Sequence, residues 1–445
     1  MQIAVVSVTM RDGDRTMKVA FYTLGCKANQ FETQALERLF TGHGHTLVPF
    51  DAPADVYIVN TCTVTALSDK KSRNAARRCK KINPDARLIL CGCYAQVKPE
   101  EAKALCGADA VIGTADKSRV LSLAEGLSRD GVTDLWHGEK PGFDLLPAGG
   151  LSGRTRALLK VQDGCQNFCT YCRIPYARGP ERSMPFDDAV NEARRLGAEG
   201  YREIVFTGIE ISAYGRDLPG QPALIDLIEA VCAAAPRARI RLGSLEPRTV
   251  TEDFAARCAA LPNLCPHFHL SLQSGCDKTL KAMNRKYDSA RYRLSCDLLR
   301  ERMPDCAVTT DLIVGFAGET EADFQESLAF VEECRLCKVH VFPYSRREGT
   351  RGYDMPGQVP NAQKALRAAE AARRCEALER DYLQSRIGLV RPVLFEQEEE
   401  PGVFTGHIPE YCLVRAKGED LHNRILPVRI SGVHGTTLTG EIVYE

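Results

Sequence analysis

Gly164-Cys165-Gln166-Asn167-Phe168-Cys169-Thr170-Tyr171-Cys172 puts three thiols within eight residues. Three residues separate the first pair and two the second, so one loop can wrap three sulfurs around a soft metal centre. A structural zinc would need a fourth protein ligand. No His lies between His137 and His267, and the next Cys is Cys232, so a local fourth ligand is missing. Three thiolates on a four-iron cluster leave one iron free for something that is not protein. A disulfide with one spare thiol is the plain alternative.

Working outward, the loop follows a predicted strand at 157–161. Further strands are predicted at 203–206, 239–243, 267–272, 308–314 and 339–344. Six strand–helix units predict a partial or full parallel barrel, with its site at the carboxyl ends of the strands. Those ends carry small or polar residues: Thr207-Gly208, Ser244 and Glu246, Ser271 and Gln273, Asp311 and Gly315. Together they describe a polar rim, where glycine lets backbone approach a ligand. His267 and His269, at alternate strand positions, are expected as hydrogen-bonded core or rim side chains rather than ligands.

Before the loop, strands at 19–24, 56–60 and 87–91 alternate with helical stretches at 30–41, 69–82 and 98–105. This pattern predicts an open parallel sheet. Each of the three strands runs into a cysteine: Cys26, Cys62 and Cys93. Ligands gather outside the carboxyl ends of such strands, so the topology would bring these cysteines to one rim as a second metal site. Three unrelated core thiols are the alternative. Cys91, inside its strand, is expected to pack, and Cys79 and Cys106 lie at other stations. Lys70, Lys71, Arg73, Arg77, Arg78, Lys80 and Lys81 make the second helix basic. That is either a solvated face or a phosphate contact.

Residues 1–16 are expected to be an optional extension, with Met17 as an alternative start. Residues 126–150 are rich in Gly, Pro and polar residues and read as a linker, with Trp136 as a packing anchor. After a long charged helix at 360–385, close-spaced strands at 390–395, 402–406, 412–414, 424–430 and 436–444 predict a small barrel, with 396–401 as a turn. Tyr411, Arg415, Lys417, His422, Arg424 and Arg429 offer basic and aromatic groups of the kind that bind RNA. The expected division is thus 17–125, a linker at 126–150, 151–382 and 383–445.

The chain has 445 residues, too many for one ordinary core. Lys+Arg and Asp+Glu are both 58, so a nucleic-acid surface would have to be a local patch. Nineteen cysteines without a secretory signature fit metal ligation in a reducing compartment better than a disulfide scaffold. No stretch reaches membrane-spanning length. The expectation is a cytoplasmic protein.

Cys165, Cys169, Tyr171 and Cys172 resemble the signature of the radical S-adenosylmethionine enzymes. In that superfamily the open iron chelates the methionine moiety, and an electron from the cluster releases a 5′-deoxyadenosyl radical. Residues 174–183, Ile-Pro-Tyr-Ala-Arg-Gly-Pro-Glu-Arg-Ser, resemble the methylthiotransferase branch, which inserts sulfur into a C–H bond and methylates it. The stretches 24–30, 60–65 and 92–96 are similar to that branch's N-terminal domain. The resemblance implies that Cys26, Cys62 and Cys93 hold an auxiliary four-iron cluster carrying the sulfur. It further implies cofactor-lining roles for Tyr171 in the cysteine loop and for Gly208, Glu246, Gln273, Ile313 and Gly315 on stretches 207–210, 241–247, 269–275 and 311–319, with 283–285 among them. The end of the chain is similar to the TRAM domain, which grips tRNA. Ala317, Gly243 and Arg173 depart from the pattern, and Arg173, beside Cys172, bears on substrate fit.

The resemblance implies an α/β enzyme with two 4Fe-4S clusters and S-adenosylmethionine, acting on tRNA with a low-potential flavodoxin- or ferredoxin-like electron donor. Residues 175–182 and 207–212 look most like the group that methylthiolates carbon 2 of N6-threonylcarbamoyladenosine next to the anticodon. Alternatives are N6-isopentenyladenosine, a ribosomal-protein aspartate, a radical methylase, or a non-catalytic iron–sulfur regulator that binds RNA.

Overall fold

A computed structural model describes residues 16–126, 132–134, 142–150 and 155–444. The extension expected at 1–16 falls, but for its last residue, outside them, and so does Trp136.

The first unit is a parallel sheet of β1 (Lys18–Thr23), β2 (Thr46–Leu47), β3 (Val56–Thr61), β4 (Arg87–Gly92), β5 (Ala110–Ile112) and β6 (Val132–Asp134), in the order β2-β1-β3-β4-β5-β6. The central strands β3 and β4 are buried almost throughout, as a sheet covered on both faces requires. Cys91 packs on one face of the sheet, and Cys79 and Cys106 pack on the other. Helix α1 (Lys27–Gly42) serves two cores. Leu36 and Phe40 pack on the sheet, while Phe31 and Ala35 pack with Ala157, Leu159 and Leu196 of the next unit. Helix α2 (Ala66–Ile82) starts at a Thr65 cap that accepts from the Ser68 amide.

The segment expected as a linker is partly structural. Its Val132–Asp134 stretch adds an edge strand, pairing with Ala110–Ile112. Leu146 and Ala148 are buried against the second unit. A short strand there pairs the open edge of β5, which Gly-rich composition alone does not reveal.

The second unit is a partial barrel. β7 (Arg156–Lys160), β8 (Glu203–Thr207) and β9 (Arg239–Arg241) pair in parallel. β10 (Ser244–Leu245), β11 (His267–Leu270), β12 (Ala307–Val314) and β13 (Lys338–Pro343) continue it. The chain passes from β9 to β10 through Gly243, where a Cβ would lie 2.8 Å from the Phe206 carbonyl oxygen. Glycine in place of serine is therefore a steric need at this bend. Among the described residues no pairing closes β13 on β7.

Helix α6 (Ile174–Arg178) follows the cysteine loop, with α3 (Cys93–Val97), α4 (Pro99–Cys106) and α5 (Arg119–Gly126) before it. The connector helix at Asn361–Gln384 leads into a closed five-stranded barrel: β14 (Val390–Glu400), β15 (Val403–His407), β16 (Leu413–Lys417), β17 (Ile425–His434) and β18 (Thr437–Ile442). The turn expected at 396–401 is shorter than that. β14 runs on to Glu400, pairing Gln397, Glu398 and Glu400 with β15 through two register shifts. Charged residues on an exposed, bulged hairpin arm still make their ladder bonds, and the turn itself needs only Pro401 and Gly402. The barrel docks under the second unit, where Arg241 donates to the Pro409 carbonyl at 2.8 Å and Arg239 to that of His407 at 3.2 Å.

Candidate functional site

The Cys165–Cys172 loop leaves the end of β7 through Gly164, at φ 74°. A Cβ there would sit 1.9 Å from the Pro180 carbonyl oxygen, so only glycine allows the 179–180 strap to cross so closely. The strap accepts the Cys165 amide at Gly179, 3.1 Å. From the other side, Met283 accepts the Thr170 amide at 3.0 Å, and the Asn284 amide group donates to the Phe168 carbonyl at 3.0 Å. Arg285 donates to Cys169 Sγ at 3.1 Å. Residues 283–285 therefore hold the loop from outside. Burial pushes the Cys165 and Cys172 thiols up to about 12, with neighbouring cysteines adding to the shift.

Cys26, Cys62 and Cys93 follow β1, β3 and β4, which are adjacent in the sheet. Their strand ends are cross-tied. Asn29 Nδ2 donates to the Leu24 carbonyl at 2.7 Å and to that of Thr61 at 3.0 Å, and Thr61 Oγ1 donates to the Cys91 carbonyl at 2.6 Å. A Cβ on Gly25 would meet Cys62 Sγ at 2.8 Å, so this station too needs glycine. Burial pushes the Cys93 thiol up to about 12; Arg178 opposes the shift, and the Cys26 and Cys62 sulfurs add to it. Burial likewise raises Cys62. Such thiols lose their protons only to a metal, so loading should release protons.

The two trios meet at one junction. Helix α3, which begins at Cys93, packs on α6, which follows Cys172. Thr114 Oγ1 donates to the Ala177 carbonyl at 2.7 Å, and Cys93 lies close enough to raise Cys172. Among the described residues, neither trio forms a group with all three sulfurs within 4.8 Å of one another. The Cys276, Asp323 and Glu326 group is tighter, but Asp323 is paired with Lys278 at 2.7 Å.

A buried ion network runs between the units beside Cys93. Arg178 contacts Glu32 at 2.7 Å and Asp163 at 3.0 Å, Lys160 contacts Glu32 at 2.9 Å and Asp163 at 2.7 Å, and Arg182 contacts Asp163 at 3.0 Å. Lys117 also pairs with Glu32. Burial works against the Glu32 carboxylate, but Arg178, Lys117 and Lys160 together hold it well below the usual range. Four cations share Glu32 and Asp163, with the carboxylate of Asp144 also beside Lys160 and Lys117, and among the described residues Arg178 Nε has no partner. Surplus buried positive charge beside the strand-end thiols fits an anionic metal centre there.

The expected rim residues divide. Gly208 lines a large cavity that also touches Cys26. Tyr171 and Ile313 pack together with Met283, Phe316 and Tyr344. Gln273, at φ 72°, donates its amide to the Asp311 carbonyl at 2.9 Å and accepts from Ile313. Glu246 pairs with Arg248 at 2.9 Å. Gly315 is different, because the space a Cβ would fill is taken by Lys364 Cγ at 2.4 Å; its bare backbone accommodates the connector helix rather than an open ligand space. Sequence reasoning passed over Glu210, inside the quoted 207–210 stretch. It lies 3.3 Å from the Asn167 side chain, its Oε1 is buried without a partner among the described residues, and burial raises its carboxyl to about 7. Such an oxygen beside the cysteine loop could take the ammonium of an amino-acid cofactor.

Two groups expected at the surface are drawn into contacts. Tyr411, at φ 69°, turns inward, with its ring 4.6 Å from the Arg241 guanidinium and 5.2 Å from that of Arg156. Arg415 pairs with Glu400 at 2.8 Å. Lys417, His422, Arg424 and Arg429 remain exposed.

Residues 159–331 match the Radical SAM superfamily, and residues 18–113 match the Uncharacterized protein family UPF0004. Among solved structures, the radical S-adenosylmethionine methyltransferase TsrM from Kitasatospora setae is similar in fold, with TM-score 0.55 and 14% identity over 76% of this chain and 77% of that one. The partial barrel and its cysteine loop thus define a radical S-adenosylmethionine enzyme, for which a 4Fe-4S cluster and S-adenosylmethionine are the cofactors. The threonylcarbamoyladenosine tRNA methylthiotransferase MtaB of Bacillus subtilis is 37% identical over 93% of both chains, and that of Thermotoga maritima 36% over 92% of both. A tRNA-2-methylthio-N(6)-dimethylallyladenosine synthase from Syntrophobacter fumaroxidans is 34% identical over 95% of both. The chain belongs to the radical S-adenosylmethionine methylthiotransferase family.

Proposed function

We propose that the protein puts a methylthio group on carbon 2 of N6-threonylcarbamoyladenosine in tRNA, next to the anticodon. Cys165, Cys169 and Cys172 would hold the radical-generating cluster, and Cys26, Cys62 and Cys93 a second, sulfur-bearing one. The observation that carries this is the packing of α3 on α6, with the Cys93 and Cys172 ends of two incompletely ligated trios at one junction. When bound, the clusters and S-adenosylmethionine supply the electron, the abstracting radical, the sulfur and the methyl group. The chain's own groups do the rest. Glu210 takes the cofactor's ammonium, Arg285 fixes Cys169, and the Glu32–Arg178–Asp163 network keeps the two units in register and water out.

Residues 17–125 form the sulfur-carrying domain, 151–382 the radical domain and 383–445 the tRNA-gripping domain. Lys70, Lys71 and Lys81 on α2 and Lys417, Arg424 and Arg429 on the C-terminal barrel are exposed cations available to the tRNA backbone. A cytoplasmic location and a low-potential flavodoxin- or ferredoxin-like donor belong to the same reading. Among the described residues no helix is long and apolar enough to cross a membrane. Nucleoside mass spectrometry of tRNA from a deletion strain tests the substrate: the methylthio-threonylcarbamoyl nucleoside should vanish, and its persistence would refute this assignment.

A further inference from the structure

A cavity of about 570 Å³ opens beside Cys26 and runs down the inside of the partial barrel, with Tyr411 of the C-terminal barrel among its lining residues. Neither cysteine trio accounts for its chemistry. Lys27, the first residue of α1, lines it; among the described residues it has no carboxylate partner, and its ammonium stands 5.9 Å from the Tyr411 ring. The amino end of α1 adds its partial positive charge at the same place. His267 also lines it and is 6% exposed. Its Nε2 meets Thr309 Oγ1 at 3.2 Å, while Nδ1 is buried with no partner among the described residues. The expected fully bonded histidine is therefore half satisfied, and an orphaned ring nitrogen in a polar cavity wants an acceptor. Of the cavity's carboxylates, Asp311 meets His269 at 3.4 Å and Glu379 meets Lys338 at 2.9 Å within the cavity wall, while Glu410 contacts Arg391 at 2.9 Å through one oxygen and, among the described residues, its other oxygen is buried without a partner.

We propose that this cavity receives the substituent on N6 of the target adenosine, and that Lys27 and His267 bind its carboxylate. The inference rests on the function proposed above and deepens it. Carbon 2 and N6 flank N1 on one edge of adenine, so a base presenting carbon 2 to the Cys26 trio turns its N6 substituent towards the neighbouring wall. A threonylcarbamoyl group carries an anion and several hydrogen-bonding atoms. Lys27 offers the counter-charge, and His267 Nδ1, closed off as the ring stands, becomes a donor in the tautomer that protonates it when the ring turns towards the cavity. A dimethylallyl group would leave both polar groups desolvated and unpaired, which is how a site built for hydrogen bonds rejects an apolar analogue. Lys27 and His267 are thus specificity-determining residues, contributed by different units of the chain.

The test uses the anaerobically reconstituted holoenzyme with an anticodon stem–loop bearing the threonylcarbamoyl acid, and with its carboxylate methyl ester. Wild type should favour the acid in kcat/KM by about tenfold or more, the size of one charged hydrogen bond. Lys27→Met should bring the acid-to-ester ratio close to one by slowing only the acid, and Lys27→Arg should restore most of the difference. Because Lys27 adjoins Cys26, His267→Phe provides a second variant away from the trio and should narrow the ratio too. Iron content is measured on each. An unchanged ratio in Lys27→Met and His267→Phe, with wild type active on the acid, overturns the pocket alone. Wild type inert on the acid yet active on a dimethylallyl stem–loop overturns the pocket and the substrate assignment together.

Discussion

Cys165, Cys169 and Cys172 share one loop of eight residues, whereas Cys26, Cys62 and Cys93 arrive from three strand ends of a parallel sheet. The loop trio is spaced by its own short loop and braced by the nearby 179–180 strap and, from 116 residues further along the chain, by Asn284 and Arg285. The strand-end trio depends on the register of β1, β3 and β4 and on the buried network behind them. One centre takes its spacing from a single loop, and the other takes its spacing wholly from tertiary structure. Damage to the junction should therefore reach the second centre first.

The largest expected contrast comes from removing one ligand of each trio. Cys169→Ala should abolish 5′-deoxyadenosine formation from S-adenosylmethionine. Cys93→Ala should keep it and lose the methylthio nucleoside, both read by mass spectrometry. Sulfur insertion by Cys93→Ala would reduce the strand-end trio to a structural feature.

Next is Arg178→Met, which removes the cation shared by Glu32 and Asp163 but leaves them Lys117, Lys160 and Arg182. The cost should fall below the roughly 3–5 kcal/mol of a fully uncompensated buried charge, measurable by anaerobic urea unfolding. Iron should be lost from the strand-end trio before the loop trio; equal loss from both would erase the distinction.

A smaller effect is expected in acid. Arg178 leads the groups that hold Glu32 below its ordinary value against burial, and it does the same for Asp163. Depressed folded values mean that this stability is fully present above the unfolded carboxylate range of about pH 4, and is lost as pH falls through the folded values. Melting temperature should drop on acidification below that range, and Glu32→Gln should flatten the drop. The smallest effect belongs to the surface: Lys70→Glu or Lys417→Glu should raise KM for tRNA a few-fold. Each phosphate no longer neutralised should make the salt dependence shallower by about one unit of slope.

The loop trio was legible in sequence because its spacing is local. The strand-end trio was legible because three short apolar runs each lead into a cysteine, and parallel topology turns equal stations into neighbours. The Glu32–Arg178–Asp163–Lys160 network had no such signal, since its members share no spacing and meet only when two units pack. Tyr411 read as a surface aromatic, yet three cations draw its ring inward, and those contacts cross between separate units. Val132–Asp134 was hidden by its Gly- and Pro-rich surroundings, because an edge strand of three residues needs only a partner. Glu210 stood in plain view, but its orphaned oxygen exists only where burial removes water from it.

Everything turns on two separate, incompletely ligated metal centres. Iron and sulfide counting on anaerobically purified protein measures this directly. Wild type should hold about eight irons per chain, and each triple Cys→Ala variant, one trio at a time, about four. A wild type holding only about four, with one triple variant losing all of them and the other none, would contradict the account.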